Sequence, residues 1–100
     1  MSISVTKLES SCEDVSRILK SLAHPQRLMV MGHLCSGRKT VGELVQLCEI
    51  SQSQMSQFLT RLSYEGLIEC EPEGKFRYYT ISDKRLQKVL EILQKEYCPK

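Results

Sequence analysis

Several things are missing from this sequence, and each absence narrows its function. No stretch comes near the roughly 18 uninterrupted apolar residues of a membrane span, so no membrane partner is expected. The first residues, Met1 to Ser11, show neither a basic start before an apolar stretch nor a small-residue cleavage site, which predicts a cytoplasmic rather than a secreted protein. There is no phosphate-binding glycine loop, and no His or acidic residue is spaced to serve a cysteine as a base. With room for little of a substrate pocket, the 100-residue chain does not read as an enzyme. Cys12, Cys35, Cys48, Cys70 and Cys98 are odd in number and scattered, without a Cys-x-x-Cys pair, so neither a disulfide scaffold nor a structural zinc site is expected, and no cofactor. A large excess of charge of one sign is missing as well. A net charge of +2 decides nothing about nucleic acid, because phosphate affinity depends on how cations are arranged.

What is present is an ordinary globular composition, 41% apolar and 26% charged, in a chain long enough for one small domain of the kind that often oligomerises. Residues 1–9 read as a flexible N-terminal arm and 10–98 as one folded domain. Ser10 with Glu13 has the form of a capping box, so a first helix is expected from Ser10 or Ser11, with Leu8, Cys12, Val15, Leu19 and Leu22 on one stripe. Pro25 suits the first position of a second helix, with Leu28, Met31, Leu34 and Cys35 inward and Gly37 at its end. Two further capping boxes, Thr40 with Glu43 and Ser51 with Gln54, open short helices whose inward residues are Val41, Leu44 and Leu47, then Met55, Leu59 and Leu62. Only Glu49-Ile50 separates them, the tight connection of a helix-turn-helix. After Gly66, the segments 67–70 and 76–81 read as strands joined around Pro72-Glu73-Gly74-Lys75. A last helix from about Asp83 to near Pro99 carries Leu86, Val89, Leu90, Leu93 and Tyr97 on one stripe. The order α-α-α-α-β-β-α, mainly α with a small β-hairpin wing, is that of a winged helix-turn-helix.

The outward face of the helix beginning at Ser51 carries Gln52, Ser53, Ser56, Gln57 and Thr60, with no charge from Ser51 to Thr60. Uncharged donors and acceptors are what base edges in the major groove require, since Gln pairs bidentately with adenine and Ser or Thr donates, accepts or meets a thymine methyl. A solvated polar face is the bland alternative, and the helix-turn-helix and wing context favours double-stranded DNA. Lys75 and Arg77 in the wing suit phosphate or minor-groove contacts, against the alternative of an ordinary exposed hairpin. Arg61, Lys39 and Arg38 are further phosphate candidates. A protein-interaction module that binds no DNA is the competing class, and weak or salt-independent DNA binding would favour it.

From about Leu19 to Tyr97 the chain resembles the ArsR/SmtB family of winged-helix repressors, on Ala23-His24-Pro25-Gln26-Arg27-Leu28, Thr40-Val41-Gly42-Glu43-Leu44, Ser51 to Leu59, and Gly66-Leu67-Ile68. The resemblance implies a homodimer joined through the first and last helices, binding an inverted-repeat operator and releasing it when an inducer acts. Phe58 departs from the His usual there, which puts one polar contact in question.

The family's inducer sites are matched position by position. Members sensing soft metals or arsenite resemble Cys-Val-Cys-Asp-Leu where this chain has Thr40 to Leu44, so both thiolates are absent. Of the zinc-type ligands on the last helix Asp83 remains, but Arg85 takes the next position and cannot bind metal, and no His follows. No metal site is therefore expected, and His24 and His33 read as structural or solvated. The HlyU and sulfide-sensing branch, BigR and SqrR among its members, is similar in placing a thiol at Cys98. Its first thiol falls at Gly32, and this chain offers Cys35 about 4.5 Å further along the helix. Two readings stand: a redox switch of Cys35 and Cys98, by disulfide or persulfide, or a core cysteine and an idle one. Cys12 is a second possible partner for Cys98. Metal-responsive and effector-independent repression remain the other inducer classes. Cys48 and Cys70 read as structural.

Overall fold

The computed structural model describes residues 5–98, which run α1 (Val5–Leu22), α2 (Pro25–Cys35), β1 (Lys39–Thr40), α3 (Val41–Cys48), α4 (Gln52–Tyr64), β2 (Ile68–Glu73), β3 (Phe76–Ile81) and α5 (Lys84–Tyr97). This is a winged helix-turn-helix with one strand more than expected. β1 pairs antiparallel with β3 through Lys39 opposite Tyr79 and Thr40 opposite Tyr78, giving a sheet ordered β1-β3-β2.

The first helix starts earlier than its sequence signal. Ser10 lies inside α1, where its hydroxyl donates to the carbonyl of Lys7 at 2.8 Å, so the Ser10/Glu13 pair caps nothing and residues 5–9 are helical rather than an arm. Residues 1–4 of that expected arm and the side chain of Leu8 lie outside the described residues. α2 begins at Pro25, and its cap is His24, whose Nδ1 accepts from the Gln26 amide at 3.2 Å.

Thr40 forms both arms of its capping box: Oγ1 accepts from the Glu43 amide at 3.2 Å, while Glu43 Oε1 accepts from the Thr40 amide at 3.0 Å. Hydrogen bonding of the carboxylate by Thr40, its amide first and then its hydroxyl, holds the Glu43 pKa below its ordinary value. Ser51 completes only one arm. It accepts from the Gln54 amide at 3.1 Å, but the Gln54 side chain donates instead to Gln26 Oε1 at 3.0 Å, tying α4 to α2. Between the two helices Glu49 adopts left-handed backbone (φ 54°) and Ile50 turns into the core.

Gly66, at φ +76°, lets the chain leave α4: its amide bonds the Ser63 carbonyl and the Leu67 amide the Leu62 carbonyl, each at 3.0 Å. Ser82 then returns, its hydroxyl to the Gly66 carbonyl and its amide to Leu67, so the base of the wing is fastened to the end of α4. The wing turns through Gly74-Lys75 inside the pair Glu73–Phe76, with φ +62° at Gly74, the first central position of a two-residue hairpin. β2 runs three residues past the expected Cys70 and includes Pro72, which an edge strand tolerates.

The core is built from Val30, Met31, Leu44, Met55, Leu59 and Leu62, all essentially inaccessible, with Phe58, Leu67, Ile68, Leu86 and Leu90 around them. Two inward assignments change. Leu28 and Leu47 are 40% and 47% exposed, and their places inside are taken by Val30 and Cys48. Met55, Leu59 and Leu62 are buried as their spacing predicts. The apolar faces of α1 and α5 are only partly covered within the chain: Leu22, Leu86 and Leu90 are buried, whereas Val15, Leu19, Val89, Ile92, Leu93 and Tyr97 face out. The radius of gyration, 14.7 Å, exceeds the about 13 Å of a compact domain of this length. Among the described residues no helix is long and apolar enough to cross a membrane.

Candidate nucleic-acid interface

α4 is anchored from below by Met55, Phe58, Leu59 and Leu62, and this fixes what it presents outward. Gln52, Ser53, Ser56, Gln57, Thr60 and Arg61 are all exposed. Ser56, Gln57, Thr60 and Arg61 line one shallow concavity together with Tyr64, while Gln52 and Ser53 stand at the leading end outside it. Tyr64 was not anticipated. It is 88% exposed, and its spacing, four residues after Thr60 and seven after Gln57, is the signal that marks it. Arg61 pairs with Glu65 one turn on, Nε to Oε1 at 2.7 Å, a surface contact of small energy.

Phe58 does not reach this surface. It is 8% exposed, with the His24 ring edge-on at 5.6 Å and the Arg27 guanidinium 5.6 Å over its face. Phe58 thus forms an aromatic clamp between α2 and α4.

The wing carries the exposed cations separately. Lys75 lies in the turn and Arg77 on β3, on either side of Phe76, which is 58% exposed. Arg38 and Lys39 have internal partners: Arg38 pairs with Glu73 and stacks over Tyr78, while Lys39 Nζ donates to the Gly37 carbonyl at 3.2 Å and to Ser36 Oγ at 3.3 Å.

The thiols divide by place. Cys35 and Cys98 line one groove of about 710 Å³ between α2 and α5, whose walls include Leu28, Met29, Leu93 and Tyr97, and Gly32 lines the same groove. Cys12 is exposed on α1 and takes no part in it. All three are free thiols. Burial, and then the nearby Glu91 carboxylate, push the Cys35 thiol above its ordinary pKa. Cys48 is buried and its pKa is raised by that burial, and Cys70 is half-buried opposite Tyr79. Asp83, the residual zinc-type position, caps α5 by accepting from the Arg85 and Leu86 amides at 2.9 and 3.3 Å, and it pairs with the Arg85 side chain at 3.1 Å. That Arg85 contact, foremost, holds its carboxyl below the usual range. Among the described residues no group of three or more His, Cys, Asp or Glu is placed to hold a metal.

Comparison with known proteins agrees with this architecture. Residues 24–69 match the model of the bacterial regulatory protein arsR family. The chain is 31% identical over 96 residues to the HTH-type transcriptional regulator YgaV of Escherichia coli, covering 95% of this chain and 97% of the relative. Two solved structures superpose closely. Reduced HlyU from Vibrio cholerae gives a TM-score of 0.87 at 30% identity, over 95% of this chain and all of that one. The transcriptional repressor BigR from Xylella fastidiosa gives 0.90 at 30% identity, over 98% of this chain and all of that one. The chain belongs to the ArsR family, in the branch of HlyU and BigR, and is a DNA-binding transcription regulator rather than an enzyme.

Proposed function

We propose that this chain is a cytoplasmic, homodimeric repressor that binds an inverted-repeat operator, with α4 in the major groove, the wing on phosphate or minor groove, and a thiol switch in the α2–α5 groove governing release. The observation that carries the reading is the outer face of α4, exposed and uncharged from Gln52 to Thr60 on a helix whose other side is fixed in the core. Lys75 and Arg77 supply sequence-independent attraction. The exposed apolar residues of α1 and α5 support a two-fold interface there, which would space two α4 helices for successive major grooves.

The shared groove supports Cys35 and Cys98 as the switch, since the three-residue displacement from Gly32 keeps the thiol on the same wall. With a hydroperoxide as oxidant the two thiols give up two protons and two electrons; the S–S bond forms, the O–O bond breaks, and water and an alcohol leave. A persulfide donor instead passes its outer sulfur to one thiolate as its own S–S bond breaks and its thiol leaves, and the second thiolate then displaces hydrosulfide to form the disulfide. Because the Cys35 pKa is raised, its thiolate fraction at a given pH is low, and its alkylation rate should go on rising with pH after an ordinary thiol has levelled off.

In vitro selection from random duplexes with the reduced protein, repeated after treatment with hydroperoxide or persulfide donor, tests both halves. A two-fold symmetric site that is released on treatment, with mass spectrometry showing Cys35 linked to Cys98, is the expected outcome. Linkage of Cys98 to Cys12 would move the switch to the dimer interface, and operator affinity unchanged by treatment would remove it. Weak, salt-independent binding would leave a protein-interaction module.

A further inference from the structure

The wing has a fastening that its hydrogen-bond ladder does not supply. β1 reaches β3 only at Tyr78 and Tyr79, so toward the tip β2 and β3 have no third strand, and a two-stranded ribbon is marginal by itself in water. Arg38, the residue before β1, spans the sheet. Its guanidinium lies 4.1 Å over the Tyr78 ring on the central strand and its Nη1 bonds Glu73 Oε2 on the far strand, next to the Gly74-Lys75 turn. One side chain therefore connects the β1 edge, β3 and the tip of β2.

Charge enters the same arrangement. Glu71 and Glu73 lie on β2 of the hairpin whose tip carries Lys75 and Arg77. A free carboxylate at Glu73 would repel DNA phosphate beside those cations, and pairing with Arg38 neutralises it. The Glu73 carboxyl is held below and the Arg38 guanidinium above its ordinary pKa by this contact, so the pair stays ionised across the physiological range.

We propose that Arg38 is the positioning residue of the wing, a clamp from β1 over Tyr78 to Glu73 that holds Lys75 and Arg77 in place for DNA rather than a phosphate contact in its own right. This rests on the reading of the wing as part of the DNA interface. It distinguishes Arg38 from Lys75 although both are surface cations: Lys75 acts on DNA, Arg38 acts through the wing.

The experiment compares the wild type with R38A, K75A and the double variant. In the DNA-free R38A protein, backbone order parameters at residues 73–77 should fall from about 0.85 to below about 0.6, with those of α4 unchanged. On the selected operator, R38A should weaken binding about three- to tenfold. K75A should cost less in the R38A background than alone, because a wing that is not held gains little from its lysine. Additive losses, with the salt slope of the dimer reduced by about 1.8 for R38A itself, would make Arg38 a direct phosphate contact and overturn the proposal. A wing as rigid in R38A as in the wild type would overturn it too. Failure of the wild type to bind DNA is a separate outcome, which overturns the DNA reading on which the clamp's purpose depends.

Discussion

Replacing Leu59 by Ala should destabilise the protomer by roughly 2 to 5 kcal/mol, the range for truncating a buried leucine in a core that cannot fully collapse. Leu59 is 1% exposed, on the buried side of α4 with Met55 and Leu62, and α4 packs on α3 and β2. For a domain of about 100 residues that loss lowers Tm by on the order of 10 to 30 °C. Operator affinity should fall as well, because the same packing holds the outer face of α4. Leu47→Ala is the control: Leu47 is 47% exposed on α3, so its truncation should stay within about 0.5 kcal/mol. Thermal melts of the two variants separate the observed core from the one its spacing implies, in which both leucines face inward.

Replacing Ile92 by Glu should act on assembly instead. Ile92 is 60% exposed in the protomer, so the helical content measured by circular dichroism should be retained. In a two-fold α1/α5 interface the substitution buries two unpaired carboxylates, and each such charge costs roughly 3 to 5 kcal/mol. Sedimentation should then show a monomer, and operator affinity should fall by a factor on the order of 100 or more, because each half-site binds without its neighbour. An Ile92→Glu protein that stays dimeric and binds the operator fully would place the dimer interface elsewhere.

The parts of the fold that could be read from sequence are those where independent signals coincide. At α4 a cap at Ser51, an apolar period through Met55, Leu59 and Leu62, and a stop at Gly66 agree, and the helix falls where they place it. At α1 one signal misled: Ser10 has the residue type of a cap, but a hydroxyl can equally bond back to the carbonyl of the preceding turn, as it does to Lys7. α2 and α3 are short and apolar on more than one side, so periodicity does not choose between Leu28 and Val30 or between Leu47 and Cys48. β1 has two residues, too few for alternation to register, and it becomes a strand only through its pairing with Tyr78 and Tyr79.

The exposed residues of α4 were legible because helix geometry sorts them by spacing alone. What spacing does not reveal is which side chains are already engaged. Arg38, Lys39 and Arg61 look alike as surface cations, yet the first spans the wing, the second folds back on Gly37 and the third rests on Glu65. Phe58 could be read only as a departure from a pattern, whereas contact with His24 and Arg27 gives it a place between two helices.

The central claim is that α4 reads bases while the wing reads charge, and binding of Gln57→Ala and Lys75→Ala to a panel of operator variants over a range of salt tests it most directly. Gln57→Ala should relax the preference at one position of each half-site, worth about 1 to 3 kcal/mol of discrimination, and leave the salt slope alone. Lys75→Ala should weaken every sequence alike and, with one lysine lost from each of two protomers, reduce the slope by about 1.8. Equal effects of both changes on every DNA would contradict that division.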